Sequence, residues 1–158
     1  MRPDRERSTS ARMGDAGTMP SWVAAAIFAS PRITSATVGA VGFCMGGGFV
    51  IVLAAQQGSR VGAAVPFYGV LKEDYPDLSG LTSPVLGHFG EEDAFTTPEA
   101  ARGLAERIEK ESAVTPQFFF YPAGHAFFND ENHLGTYDAE QAQLAWGRTT
   151  AFLHEHLG

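Results

Sequence analysis

The chain has 158 residues, 44% of them apolar and 18% charged, with a formal net charge of −7 and a single cysteine. These values fit one soluble globular domain, long enough to bury roughly two thirds of the surface its unfolded chain exposes, and they exclude a wholly disordered chain. One cysteine permits neither an internal disulfide nor a cysteine-based zinc site. The acidic balance argues against nucleic acid or an anionic membrane as the main partner, which leaves small molecules and proteins.

Residues 1–19 are polar and carry Arg2, Arg5, Arg7 and Arg12 without hydrophobic periodicity. Such a segment cannot offset the entropy of ordering and reads as a disordered tail. Residues 20–36 read as a short helix and linker. The apolar run from Trp22 to Ala29 falls far short of the roughly 20 residues a bilayer span requires. As a secretion signal it is weakened by Asp4, Glu6 and Asp15 among the arginines, and the expectation is a cytoplasmic protein.

From residue 37 to 158 the pattern is that of an α/β domain. Val38 to Phe43 is a short apolar run ended by glycine and followed by a helical-length apolar stretch from Phe49 to Gln57: strand, sharp turn, helix. Gly62 to Tyr68, Pro84 to Gly90 and the proline-bounded aromatic run Pro116 to Pro122 each have the length and composition of a buried strand. Thr96-Thr97-Pro98-Glu99 resembles a capping box, and Ala100, Leu104 and Ile108 then recur along one helical face. A closing helix from Asp138 places Ala142, Ala145, Trp146, Thr149, Phe152 and Leu153 toward a sheet, leaving Glu140, Arg148, Glu155 and His156 for solvent. The alternation predicts a mostly parallel sheet of about four strands flanked by helices. Four strands make a small sheet for this architecture, whose faces and edges both need cover.

The turn Gly42-Phe43-Cys44-Met45-Gly46-Gly47 has the form G-x-nucleophile-x-G, in which glycines permit a tight strand-to-helix turn that holds the central side chain exposed. The positive end of the helix favours an anion such as a thiolate, and the N–H of Met45 points where an oxyanion would develop. Taken alone, the motif also reads as a glycine-rich turn around a buried cysteine. Asp93 follows the third strand and His125 the fourth, so in a parallel sheet both share one edge with Cys44, where active sites of open α/β sheets form. The chain order nucleophile, acid, histidine is that of the α/β-hydrolases.

These residues resemble the dienelactone hydrolase family of α/β-hydrolases. The likeness runs from about Val38 to Leu157 and rests on the cysteine turn, Phe67-Tyr68-Gly69, Gly90-Glu91-Glu92-Asp93, Gly124-His125-Ala126-Phe127 and Ala145-Trp146. It implies a truncated α/β-hydrolase fold with Cys44 as nucleophile, His125 as general base and Asp93 orienting the imidazole. It also implies esters or lactones as substrates, with no metal and no organic cofactor. Tyr68, Phe127, Phe128 and Asn129 are the candidate substrate contacts.

Family members are longer at the N-terminus, where they supply further strands, a loop with a second oxyanion donor, a glutamate and an arginine. Neither side chain has a counterpart identified here, and a second family arginine, four residues after the histidine, is replaced by Asn129. A neutral or weakly polar ester or lactone is therefore expected. A homo-oligomer or a complementing chain is expected to cover the sheet edge. Two other functions compete: an inactive remnant serving as a subunit or interaction module, and a thiol redox sensor, which the absence of a resolving cysteine disfavours.

Three further features read as structural. His88, inside an apolar strand, reads as a satisfied core histidine. His133 lies in a polar stretch without helical ligand spacing and reads as part of a solvated loop. Glycines 46 to 48 lack the Gly-Lys-Ser/Thr ending of a phosphate loop.

Overall fold

The structure, a computed structural model, describes residues 37–71 and 76–158. The expected tail over 1–19 and the helix and linker over 20–36 lie outside the described residues. Four strands, β1 (Val38–Phe43), β2 (Val61–Phe67), β3 (Leu86–Gly90) and β4 (Gln117–Tyr121), and three helices, α1 (Met45–Gln57), α2 (Pro98–Glu111) and α3 (Ala139–Leu157), follow in the order β1-α1-β2-β3-α2-β4-α3. The strands form one parallel sheet in the order β1-β2-β3-β4. Because every pairing is parallel, all four C-terminal ends lie on one edge. The register of β1 on β2 steps at Val38/Gly39, where Gly39 pairs with Ala63 rather than Gly62, and the step lies beside the expected start of that strand.

The two faces of the sheet build two cores. On one face Val50, Ile51, Val52, Leu53, Ala54 and Ala55 of α1 pack with Val61, Ala64 and Val85 of the sheet side and with Leu104 and Ile108 of α2. Leu78 and Leu81, from the connection between β2 and β3, close over the same cluster. Six consecutive buried residues on α1 mean that it is covered all round, by the sheet beneath and by this connection above. Each large aliphatic side chain so buried contributes about 1.5–3 kcal/mol. On the opposite face Ala63, Val65 and Phe67 of β2 and Tyr121 of β4 pack with Ala145 and Phe152 of α3.

The helix boundaries refine the sequence reading. α1 starts at Met45, directly after the cysteine, well before the apolar run. The cap of α2 is Thr97, which accepts from Ala100 N at 3.3 Å, with Pro98 in the first turn; Thr96 is turned inward and is not the cap. The buried stripe accordingly runs through Ala101, Leu104 and Ile108, and Ala100 faces solvent. Asp138 caps α3 by accepting from Gln141 N at 3.0 Å.

On α3, Ala142, Ala145, Thr149 and Phe152 are buried as expected, but Trp146 is 46% exposed. It sits at the margin of the apolar stripe, its ring 5.7 Å from that of Phe128. Arg148 is not a solvent residue: it lies over the Phe119 ring at 4.0 Å and donates to the Tyr121 hydroxyl at 3.0 Å. His88 is fully buried between the Tyr121 hydroxyl at 2.8 Å and Thr149 Oγ1 at 2.9 Å. No helix among the described residues is long and apolar enough to cross a membrane.

Candidate active site

Each strand delivers one residue to the shared edge. Cys44 immediately follows β1, Tyr68 immediately follows β2, Asp93 lies three residues beyond β3, and His125 lies four residues beyond β4. The ends are stitched together by backbone hydrogen bonds: Cys44 N donates to Phe67 O at 3.0 Å, Tyr68 N to His88 O at 2.7 Å, and Glu91 N to Tyr121 O at 2.7 Å. The loops therefore inherit the rigidity of the sheet.

Cys44 occupies φ 54° and ψ −126°, a conformation that side chains with a Cβ rarely adopt. The turn holds it there through close backbone approach. A Cβ at Gly42 would lie 2.2 Å from Gly46 O, and a Cβ at Gly69 would lie 1.7 Å from Cys44 O. Gly69 of the Phe67-Tyr68-Gly69 motif is thus a packing partner of the cysteine turn. At Gly46, by contrast, nothing among the described residues lies within 4 Å of a built Cβ. The thiol that emerges is exposed. Met45 is the first residue of α1, so its N–H is one of the four an α-helix leaves without an intrahelical acceptor.

A chain of hydrogen bonds joins the thiol to a buried carboxylate. His125 Nε2 stands 3.2 Å from Cys44 Sγ, and His125 Nδ1 stands 2.7 Å from Asp93 Oδ2. A carboxylate only accepts, so the Nδ1–H donates to Asp93 and Nε2 is left facing the sulfur. Asp93 is 3% exposed, and its other oxygen accepts from the N–H groups of Phe95 and Thr96, each at 2.8 Å. Thr96 in turn donates its hydroxyl proton to Tyr68 O at 3.0 Å. That bond explains why Thr96 is unavailable as a helix cap. The His125 carbonyl accepts from the Thr136 hydroxyl, and the imidazole is flanked by the rings of Tyr68 at 5.3 Å and Phe95 at 5.1 Å.

The thiol opens into a cleft of about 390 Å³ lined by Phe43, Cys44, Tyr68, Ala126, Phe128, Asn129 and Asp130. Of the four candidate substrate contacts, Tyr68, Phe128 and Asn129 line it. Phe127 does not: it is fully buried, with its ring 5.5 Å from Tyr68 and 5.1 Å from Tyr121, and belongs to the core. Sequence reasoning missed Phe43, Ala126 and Asp130. The position of Phe43, one residue before the cysteine at a strand end, was a usable signal for the first. Burial first, and secondarily the negative charge of a Cys44 thiolate, push the Tyr68 phenol well above its ordinary range, so it remains a neutral O–H.

A larger groove, about 520 Å³, runs along α2 past Val70, Leu104 and Phe95, and among the described residues its lining carries no thiol, histidine or carboxylate. Among the described residues no group of three or more His, Cys, Asp or Glu is arranged to hold a metal ion. His133 is exposed and pairs with Glu131 at 3.0 Å.

A parallel sheet whose C-terminal edge carries a strained cysteine at a strand-to-helix turn, a loop acid and a loop histidine defines an α/β-hydrolase-type fold. The model of the dienelactone hydrolase family matches residues 20–157, and the chain belongs to that family. It is 30% identical over 130 residues to a Bradyrhizobium protein named "Probable 2-oxo-3-(5-oxofuran-2-ylidene)propanoate lactonase", covering 76% of this chain and 51% of that protein. It is 32% identical over 117 residues to a carboxymethylenebutenolidase of Pseudomonas putida, covering 73% of this chain and 48% of the relative. Among solved structures, a dienelactone hydrolase-like promiscuous phosphotriesterase from metagenomic libraries superposes with a TM-score of 0.73 at 25% identity, over 85% of this chain and 59% of that one. The chain spans about half the length of the curated relatives it matches.

Proposed function

We propose that the protein hydrolyses carboxylic esters or lactones, with Cys44 as nucleophile, His125 as general base and Asp93 holding the imidazole in the productive tautomer. The observation that carries this reading is the unbroken chain from Cys44 Sγ through His125 to Asp93, at 3.2 and 2.7 Å. His125 Nε2 removes the thiol proton as Sγ attacks the carbonyl carbon. The carbonyl π-electrons move to oxygen, and the oxyanion is met by the Met45 N–H at the start of α1. Collapse expels the alkoxide, which takes the proton from Nε2 and leaves a thioester on Cys44. A water then gives its proton to Nε2 and attacks the thioester, and the thiolate leaves to recover that proton as the carboxylic acid is released. In a lactone the expelled alkoxide stays tethered to the acyl group.

The test is hydrolysis of an activated short-chain ester between pH 6 and 9 by the wild-type chain beside Cys44→Ala. A loss of at least about 10³-fold in the variant is expected. Equal rates from two folded samples would overturn the proposal.

A second reading is favoured by the position of β1, the edge strand of the sheet among the described residues: Phe43 at its end is 40% exposed, and Met45, which opens α1 just after the cysteine, is 56% exposed. A second copy or a complementing chain laid along that edge would cover both and give the site another wall. In that reading the chain by itself is an inactive interaction module. Sedimentation of the purified chain decides whether it is a monomer, and the ester assay on each species decides whether assembly is needed for turnover.

A further inference from the structure

The cleft beside Cys44 has an apolar wall and an acidic rim. Phe43, Phe128 and Tyr68 form the wall, with Phe43 and Phe128 stacked at 5.4 Å and Phe43 and Tyr68 tilted at 6.1 Å. The polar side chains that complete the lining, beyond the thiol and the phenol, are Asn129 and Asp130. Asp130 is exposed and is carried on a backbone fixed by consecutive turns: Asn129 N donates to Ala126 O at 2.9 Å, and Asn132 N to Asn129 O at 3.0 Å. The Asn129 side chain further accepts from Glu131 N at 3.2 Å. A carboxylate is thereby held at the mouth of the cleft. The neighbouring loop on the same edge adds Glu91 and Glu92, both exposed, and no lysine or arginine lines the cleft among the described residues.

We infer that Asp130 is a specificity-determining residue that admits neutral or cationic acyl and alcohol groups to Cys44 and turns away anionic ones. As a statement about substrates the inference rests on the hydrolase reading. As a statement about the field at Cys44 it does not. A fixed negative charge a few ångströms from the approach path raises the local concentration of cations and lowers that of anions, and low-dielectric aromatic walls strengthen the effect over bulk water.

The single thiol of the chain makes the field directly measurable. Methanethiosulfonates of equal size but opposite charge, one bearing trimethylammonium and one sulfonate, react with a thiolate by attack on the sulfenyl sulfur. A mixed disulfide forms and methanesulfinate leaves. The ratio of the cationic to the anionic rate constant, normalised to the same ratio for a free small thiol, reports the charge environment without requiring turnover.

The wild-type ratio is expected to exceed one by about fivefold or more and to collapse toward one as ionic strength rises, because the Debye length falls from roughly 30 Å to 3 Å between about 0.01 and 1 M salt. Asp130→Asn is expected to lower the ratio about fivefold at low salt. Glu131→Gln, whose parent side chain is 71% exposed and outside the cleft lining, serves as the control and leaves it within about twofold. A wild-type ratio at or below one, a ratio insensitive to salt, or one unchanged in Asp130→Asn overturns the inference. In parallel, kcat/KM is compared for a neutral ester and its carboxylate-bearing analogue. Charge-selective labelling with no ester hydrolysis sinks the hydrolase reading and leaves the field intact; hydrolysis with charge-blind labelling does the reverse.

Discussion

Cys44 carries a cost written in its backbone. At φ 54° and ψ −126° a residue with a Cβ stores about 1–3 kcal/mol, which the surrounding turn must outweigh. Cys44→Gly removes the clash and is expected to be more stable than Cys44→Ala by about 1 kcal/mol in urea titration, the gain being reduced by the greater freedom of glycine in the unfolded chain. Equal midpoints for the two variants would mean that the turn imposes no strain. Asp93 separates two jobs in its two oxygens. Asp93→Asn keeps an acceptor for the Phe95 and Thr96 N–H groups, but an amide facing His125 Nδ1 donates instead of accepting and forces the proton onto Nε2. Ester kcat/KM is expected to fall about 10²–10⁴-fold with little loss of stability. Asp93→Ala additionally orphans the two donors and costs a further ~1–3 kcal/mol, visible as an earlier denaturation midpoint.

At the scale of the element, β4 is the informative case. A run of aromatic residues on a strand that lies at the sheet's edge among the described residues is an invitation to mispairing, and here two arginines cover it: Arg102 over the Phe120 ring at 4.6 Å from α2, and Arg148 over Phe119 at 4.0 Å from α3. Arg148 also donates to the Tyr121 hydroxyl, so one side chain ties the closing helix to the edge strand twice. Arg148→Ala is expected to destabilise the chain by about 1–2 kcal/mol, and Arg148→Lys to recover only part of that, because an ammonium lacks the planar face. Thermal melts of the three proteins measure this; an unchanged melting temperature in the alanine variant would show that the contact is worth nothing. The α2 start makes the same point about competition. Thr96 has the chemistry of a cap, yet its hydroxyl donates to Tyr68 O and its N–H to Asp93, and the cap passes to Thr97.

At the scale of the whole molecule, a polar thread runs through the second core. Arg148 donates to the Tyr121 hydroxyl, which donates to His88 Nδ1, leaving the His88 Nε2–H to donate to Thr149 Oγ1. Burial, followed by the nearby Arg148 charge, holds the His88 imidazole down at about 3 from its ordinary value of 6.5. The unfolded chain binds a proton at this histidine once pH drops below about 6.5, whereas the folded chain does so only near pH 3. Its contribution to stability is therefore complete above pH 6.5 and is lost as pH falls toward 3, by up to about 1.4 kcal/mol per pH unit. Urea titrations at pH 7, 5.5 and 4.5 are expected to show a steeper decline for the wild type than for His88→Gln, and parallel declines would sink the argument.

The parallel α/β architecture, all four strands within about two residues, the three helices and the placing of Cys44, Asp93 and His125 on one sheet edge were legible from the sequence. Each is announced by local chemistry: apolar run length, glycine punctuation, and the position of a polar residue just past a strand. The core placement of Phe127, the exposure of Trp146, the inward turn of Thr96 and the seat of Arg148 on Phe119 were not. They are outcomes of competition between side chains far apart in sequence, which local pattern does not encode. The 2.7 and 3.2 Å contacts belong to the same class. A motif specifies which residues reach an edge, but only the packed sheet, with its stitched strand ends, decides the distances at which they meet there.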